Sequence, residues 1–162
     1  MPLTHWTLRP ATPADVALLA EIRADVMRAD LVRLGRYDPV HVRRRFRDAF
    51  RAADTQVIEI GGVPAGCVAL RPADGTYWLE HFYLARHAQG TGIGSAVLTG
   101  LLARADTAGL PVRLTVLRGS PARRLYARHG FVLESDDDPI DVLLVRPPLT
   151  SGRSGADPGR RP

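Results

Sequence analysis

A chain of 162 residues, 45% hydrophobic and 24% charged, has the material for one sizeable core, and no apolar run in it approaches the roughly 18 residues of a membrane span. Cys67 is the only cysteine, which excludes an internal disulfide and a multi-cysteine metal site. The net charge of +5 is carried by arginine without a single lysine, and part of it lies in the tail as Arg153, Arg160 and Arg161 against Asp157, so the rest is too modest to call for nucleic acid.

In chain order, Trp6 to Arg9 reads as a short strand. Thr12, Pro13 and Asp15 then supply a cap, a first-turn proline and an acid three residues after the cap, and Val16, Leu19, Ile22 and Val26 follow at helical spacing. Gly35 to Pro39 breaks the pattern. A second, arginine-rich helix is expected from Val40 to Ala53, with Val42, Phe46, Ala49 and Phe50 on its apolar face. Val57 to Ile60, a Gly61-Gly62 turn and Val63 to Leu70 read as a hairpin, Asp74-Gly75 as a further turn, and Tyr77 to Leu84 as the next strand. Cys67 falls in an apolar run, which predicts a buried, unreactive thiol.

Ile93, Val97 and Leu101 mark a helix that ends near Gly109, and Val112 to Leu117 is a β-branched, aliphatic strand. Ser120-Pro121 opens another helix and Gly130 closes it. Phe131 to Leu133 and Ile140 to Val145 make the last strands, around an acidic turn at Ser135 to Asp138. The reading is one domain over residues 1–146 and a polar, Pro/Gly-rich, disordered tail over 147–162. The order βααβββαβαββ implies a mixed α+β fold. Its sheet is mostly antiparallel, with one parallel crossover between Leu84 and Leu117 and about four flanking helices.

Between the strand ending at Leu84 and the helix that follows lies Gln89-Gly90-Thr91-Gly92-Ile93-Gly94. Three glycines in six residues let the backbone turn tightly and aim its amides at an anion, with the positive end of a helix behind them. The glycine spacing does not suit a dinucleotide-binding turn, and a Walker loop needs a lysine. The pattern Q-x-x-G-x-G resembles the coenzyme A pyrophosphate loop of the GCN5-related N-acetyltransferases. One helix and one strand later stands Leu125-Tyr126-Ala127-Arg128-His129-Gly130-Phe131, which resembles the L-Y-x-x-x-G-F segment of the same superfamily. The resemblance spans roughly residues 3 to 146.

The resemblance implies a fold of the order given above and acetyl-CoA as cosubstrate, with no metal. It places the backbone of Phe82, Tyr83 and Leu84 along the pantetheine arm. The amides of Gln89, Gly90, Thr91, Gly92, Ile93 and Gly94 would hold the pyrophosphate together with Ser95 and its hydroxyl. Similar enzymes carry an Asn where this chain has Gly119, and Ser120 or Arg118 is the expected replacement; Ser120 serves equally well as a helix cap. Tyr126 is the family's usual donor to the departing sulfur.

An alkyl ammonium has a pKa of about 10.4, so little free amine exists near neutrality and a base in the site helps. Glu80, on the strand that leads into the loop, is the first candidate. It reads equally as a substrate-orienting anion or an ordinary strand residue. His81 ranks second, and on a regular strand it points to the opposite face from Glu80. The acceptor region of the family maps onto Asp25, Met27, Arg28, Asp30, Arg33, Arg36 and Tyr37, whose mixed charge suggests a small polar amine.

The expected activity is therefore direct acetyl transfer from acetyl-CoA to a small-molecule amine in a ternary complex. The alternative is a non-catalytic acyl-CoA sensor of the same fold. A third reading, nucleic-acid binding by the Arg43 to Arg51 helix, is disfavoured because that helix offers no aromatic stacking partners on its basic face. No nucleic-acid or membrane partner is expected. Without a signal peptide at Met1 to Arg9 the cytoplasm is the expected compartment. The oligomeric state is left open, with a homodimer as one candidate.

Overall fold

The strands and helices follow from hydrophobic periodicity and local caps. The structure, a computed structural model, describes residues 5–150. Seven strands form one sheet in the order β1-β2-β3-β4-β5-β7-β6. They are β1 (Trp6–Pro10), β2 (Thr55–Ile60), β3 (Val63–Ala73), β4 (Thr76–Leu84), β5 (Val112–Leu117), β6 (Val132–Ser135) and β7 (Asp141–Arg146). The helices are α1 (Val16–Arg33), α2 (Pro39–Ala49), α3 (Ile93–Ala108) and α4 (Arg123–Arg128). The expected element order holds, and the only parallel pair among the described strands is β4 with β5.

Two apolar clusters lie on the two faces of the sheet. The larger joins α3 and α4 to the sheet through Val97, Leu98, Leu101, Tyr126 and Phe131 against Val68, Leu79, Leu114 and Val142. The smaller joins α1 and α2 through Leu19, Ala20 and Phe46 against Val57 and Cys67. Cys67 is buried as expected, and burial pushes its thiol up to about 12. The thiol is unreactive for that reason.

Several boundaries differ from the sequence reading. The Thr12–Asp15 box forms, with the Thr12 N–H donating to the Asp15 carboxylate at 2.8 Å, but it caps a single 3-10 turn (Pro13–Asp15) before α1 begins. Helix α2 stops at Ala49 rather than Ala53, because Phe50 turns extended (ψ 129°) and a separate 3-10 turn follows at Ala52–Asp54. Ala49 is consequently exposed, and the buried face of α2 is Val42 and Phe46. Helix α4 begins at Arg123, with Ser120 and Pro121 in the preceding turn. Of the expected tail, residues 151–162 lie outside the described residues. Residues 147–150 have no regular structure, and the Leu149 N–H donates to the Asp106 carboxylate at 2.9 Å.

Two irregularities mark β4. The β4–β5 ladder pairs only Tyr77 with Val112 and Trp78 with Arg113, after which the strands part. Each then bonds only its outer neighbour, β3 or β7. Strand β4 also carries a bulge. Ala69 pairs with Glu80 and Cys67 with Tyr83, so β4 has one residue more than β3 across this stretch. The extra residue is accommodated by His81 in the left-handed region, φ 49°. The Cys67 thiol donates to the His81 carbonyl at 3.1 Å, satisfying an acceptor that the bulge displaces. Gly66 lies beside this point, and a Cβ there would sit 2.1 Å from the Tyr83 carbonyl oxygen, so only glycine permits the close approach of β3.

Candidate active site

The glycine loop is held by its own side chains. The Gln89 amide donates to the Leu84 carbonyl at 2.9 Å, and the Thr91 hydroxyl to the Ala88 carbonyl at 2.6 Å. Gly90 (φ 71°) and Gly92 (φ 85°) take the left-handed conformation, with open space where a Cβ would be. The first α3 backbone bond runs from Ala96 N–H to Gly92 O, and the amides of residues 90–95 find no acceptor among the described residues. Six amides, backed by the positive end of a sixteen-residue helix, form a concave donor surface for an anion. Gln89 and Thr91 thus brace the loop with their side chains. Ser95, whose hydroxyl was expected at the anion, lies within hydrogen-bond distance of His129 Nε2 at 3.1 Å.

The parted end of β4 leads into this loop. Phe82 and Leu84 turn their side chains under the N-terminus of α3, lying 3.8 Å and 3.3 Å from the position a Gly94 Cβ would take. Their side chains therefore pack against the α3 cluster, and what they present to the gap is backbone. Tyr126 packs edge-on against Phe131, with ring centroids 5.6 Å apart. Burial raises its phenol well above the ordinary range, and its hydroxyl bonds to no described residue. A cleft of about 500 Å³ at the β5–α4 turn is lined by Gly119, Ser120, Pro121, Arg123, Arg124 and Ala127. Ser120 Oγ accepts the Ala122 N–H at 3.3 Å within the turn that precedes α4; the N-cap residue is Ala122, and Ser120 does not cap the helix as expected. Gly119 (φ 76°) leaves room for the Arg33 guanidinium, which reaches across from α1 and donates to the Arg118 carbonyl at 2.6 Å.

The other side of β4 is built from side chains, and here the bulge corrects the expectation that Glu80 and His81 point to opposite faces. Leu79 and, beyond the bulge, Phe82 belong to the α3 cluster; His81 packs edge-on against Phe46 of α2 at 5.2 Å, and Tyr83 faces the same residue. Glu80 and His81 are therefore on one face, toward α1 and α2. Arg71 holds Glu80 with both arms, Nη2 to Oε1 at 2.7 Å and Nε to Oε2 at 3.1 Å. Burial lowers the His81 pKa, the Glu80 carboxylate opposes that shift, and Arg23 and Arg45 reinforce it. The imidazole Nδ1 is buried without a partner among the described residues.

Arg23 went unnoticed in the sequence, since a cation inside a helix reads as a solvated one. It is only 7% exposed, donates from Nε to the Tyr83 hydroxyl at 3.0 Å and from Nη1 to the Val42 carbonyl. It thus ties α1, α2 and β4 together. Burial raises the Tyr83 phenol, and Arg23 opposes that rise. Of the expected acceptor residues, Asp25 pairs with Arg86 at 3.0 Å and Asp30 with Arg33 at 3.0 Å, and the Arg28 guanidinium lies 5.4 Å from the Tyr37 ring centroid. Across the cleft, Arg118 clamps the β6–β7 turn by donating to the carbonyls of Asp136, Asp138 and Pro139.

Comparisons with known proteins bear on the fold and the family. Among solved structures, PaiA N-acetyltransferase from Thermoplasma acidophilum, in complex with coenzyme A, is 18% identical over 88% of this chain and 99% of its own, with a TM-score of 0.72. The ribosomal-protein-S18-alanine N-acetyltransferase from Escherichia coli is 15% identical over 94% of this chain and 100% of its own, with a TM-score of 0.68. A putative phosphinothricin N-acetyltransferase is 21% identical over 90% of this chain and 100% of its own, with a TM-score of 0.63. At these identities the likeness shows the fold. None of the curated proteins matches at a significant level. The model of the Acetyltransferase (GNAT) family matches residues 20–131, from α1 through the last residue of the L-Y-x-x-x-G-F segment, and the chain belongs to that family.

Proposed function

We propose that this protein transfers an acetyl group from acetyl-CoA to the primary amine of a small polar acceptor, directly within a ternary complex. The observation that carries the reading is the run of unsatisfied amides at residues 90–95, set at the mouth of the gap between β4 and β5. Pyrophosphate would sit on those amides, with the pantetheine arm along the unpaired edge of Phe82, Tyr83 and Leu84 as an added strand. Arg123 and Arg124, at the cleft beside Ser120, supply cations for further phosphate. The names of two solved relatives, a ribosomal-protein-S18-alanine N-acetyltransferase and a putative phosphinothricin N-acetyltransferase, support an amine acceptor.

Each half of the site has its own task in this reading. The Tyr126 phenol, kept protonated by burial, donates to the sulfur as it departs. Glu80, fixed by Arg71, retains a lone pair on each oxygen and orients the acceptor's ammonium. Both Glu80 oxygens are already engaged by the Arg71 guanidinium. The neutral imidazole of His81, on the same face, is then the better-placed group to take the proton, directly or through water. A panel of amines incubated with acetyl-CoA, read out as released thiol and as acetylated product, tests the proposal. Amine-dependent thiol release supports it. Tight acetyl-CoA binding with no thiol release for any amine would replace it with an acyl-CoA sensor.

A further inference from the structure

The Ser95–His129 pair has a polarity that bears on the anion site, an inference that rests on the coenzyme A reading above. The His129 ring lies between two partners. Nδ1 is 2.9 Å from the Leu125 carbonyl oxygen, and Nε2 is 3.1 Å from Ser95 Oγ. A carbonyl can only accept, so Nδ1 carries a proton and donates it. In the neutral ring Nε2 is then a bare lone pair, and the Ser95 hydroxyl must donate to it. That commits the only proton of Ser95 to His129 and leaves oxygen lone pairs facing any anion on the amides of Gly94 and Ser95. Thr99 cannot relieve this, because its hydroxyl already donates to the Ser95 carbonyl at 2.9 Å, with its oxygen 3.5 Å from Nε2.

One added proton reverses the relay. An imidazolium Nε2–H donates to Ser95 Oγ, with Thr99 Oγ1 as a second acceptor, and the Ser95 proton is free to turn to a phosphate oxygen. A pyrophosphate bound on the amides beside Ser95 supplies the negative charge that pairs with such an imidazolium. The other charges near the ring do not duplicate the effect. Arg146 on β7 donates from Nε to the His129 carbonyl at 3.1 Å, and its guanidinium is neutralised by Asp106 of α3 at 2.8 Å.

We propose that His129 is a positioning residue for the cosubstrate: by taking up a proton when the pyrophosphate arrives, it converts Ser95 from an acceptor into a donor at the anion site. Binding should therefore strengthen as pH falls. Dephospho-coenzyme A is the suitable probe, because it keeps the pyrophosphate and lacks the phosphomonoester that itself titrates near pH 6. The expected result is an affinity about fivefold or more higher at about pH 5.5 than at about pH 8. His129→Gln and Ser95→Ala should each flatten that slope. Calorimetry on the unmodified chain in buffers of different ionisation enthalpy should show net proton uptake on binding, and this readout needs no variant to fold. Binding that is pH-independent with no proton uptake overturns the relay while leaving the coenzyme A site in place, as does a parental slope retained in His129→Gln. Absence of binding by coenzyme A and its dephospho form at every pH overturns the relay and the coenzyme A reading together.

Discussion

The two sides of β4 are built on different principles. Toward α3 the site is main chain: unpaired amides from Gly90 to Ser95 and the exposed edge of a strand that has parted from its neighbour. Toward α1 and α2 it is side chain: Glu80 held by Arg71, His81 set on Phe46, and Tyr83 tied to Arg23. A site made of backbone needs glycine at fixed positions and therefore leaves a signature in sequence. A site made of side chains depends on which way each residue points, and one extra residue in a strand changes that for everything after it.

The contrast can be broken most forcefully at Gly66, on which the side-chain half depends. Gly66→Ala places a Cβ 2.1 Å from the Tyr83 carbonyl, and β3 and β4 must separate at the bulge. The expected cost is about 3 kcal/mol or more, a drop in Tm of about 6 °C or more in thermal unfolding. An unchanged Tm would mean that the close approach is not rigid. Next in size is Gly92→Glu, which strains a residue at φ 85° and puts a negative charge on the amide cradle. Coenzyme A affinity by calorimetry should fall about tenfold or more, about 1.4 kcal/mol. Equal affinity in parent and variant would dismiss the cradle.

A smaller effect is expected where the halves meet. Tyr126→Phe keeps the ring packed on Phe131 and removes only the donor, so turnover should fall about tenfold while acetyl-CoA affinity stays the same. Turnover unchanged at every pH would take Tyr126 out of the chemistry. The subtlest expectation concerns His81. Burial lowers its pKa, and the neutral form is the base, so activity should rise with pH through a value below the ordinary imidazole pKa of about 6.5. His81→Gln should abolish that acid limb. If the limb persists in His81→Gln and disappears in Glu80→Gln, the proton goes to the carboxylate instead.

Sequence and structure agree best where a residue type is forced by geometry. The Q-x-x-G-x-G loop, the element order and the burial of Cys67 were all legible, because left-handed glycines, helix periodicity and apolar runs each have a compositional mark. The bulge at His81 has none, since histidine is not a residue that announces φ 49°, and alternation along a regular strand assigned it to the wrong face. Arg23 was missed for a related reason: its burial depends on the Tyr83 hydroxyl and the Val42 carbonyl, both distant in sequence. Ala52 and Ala53 are good helix formers and extend the apparent helix in sequence, whereas Phe50 turns extended and a 3-10 turn follows before β2. Gln89 illustrates a partial reading. Its place in the motif was seen, but the brace to Leu84 was visible only once the loop had a shape.

The central claim, that the two sides of β4 bind two different substrates, is tested most directly by steady-state kinetics of Gly92→Glu and Glu80→Gln with both substrates varied. The account predicts that Gly92→Glu raises the KM for acetyl-CoA and leaves that of the amine near the parent value. It predicts the converse for Glu80→Gln, a raised amine KM with the acetyl-CoA KM unchanged. Glu80→Gln raising the acetyl-CoA KM, or Gly92→Glu raising only that of the amine, would contradict the division of the site.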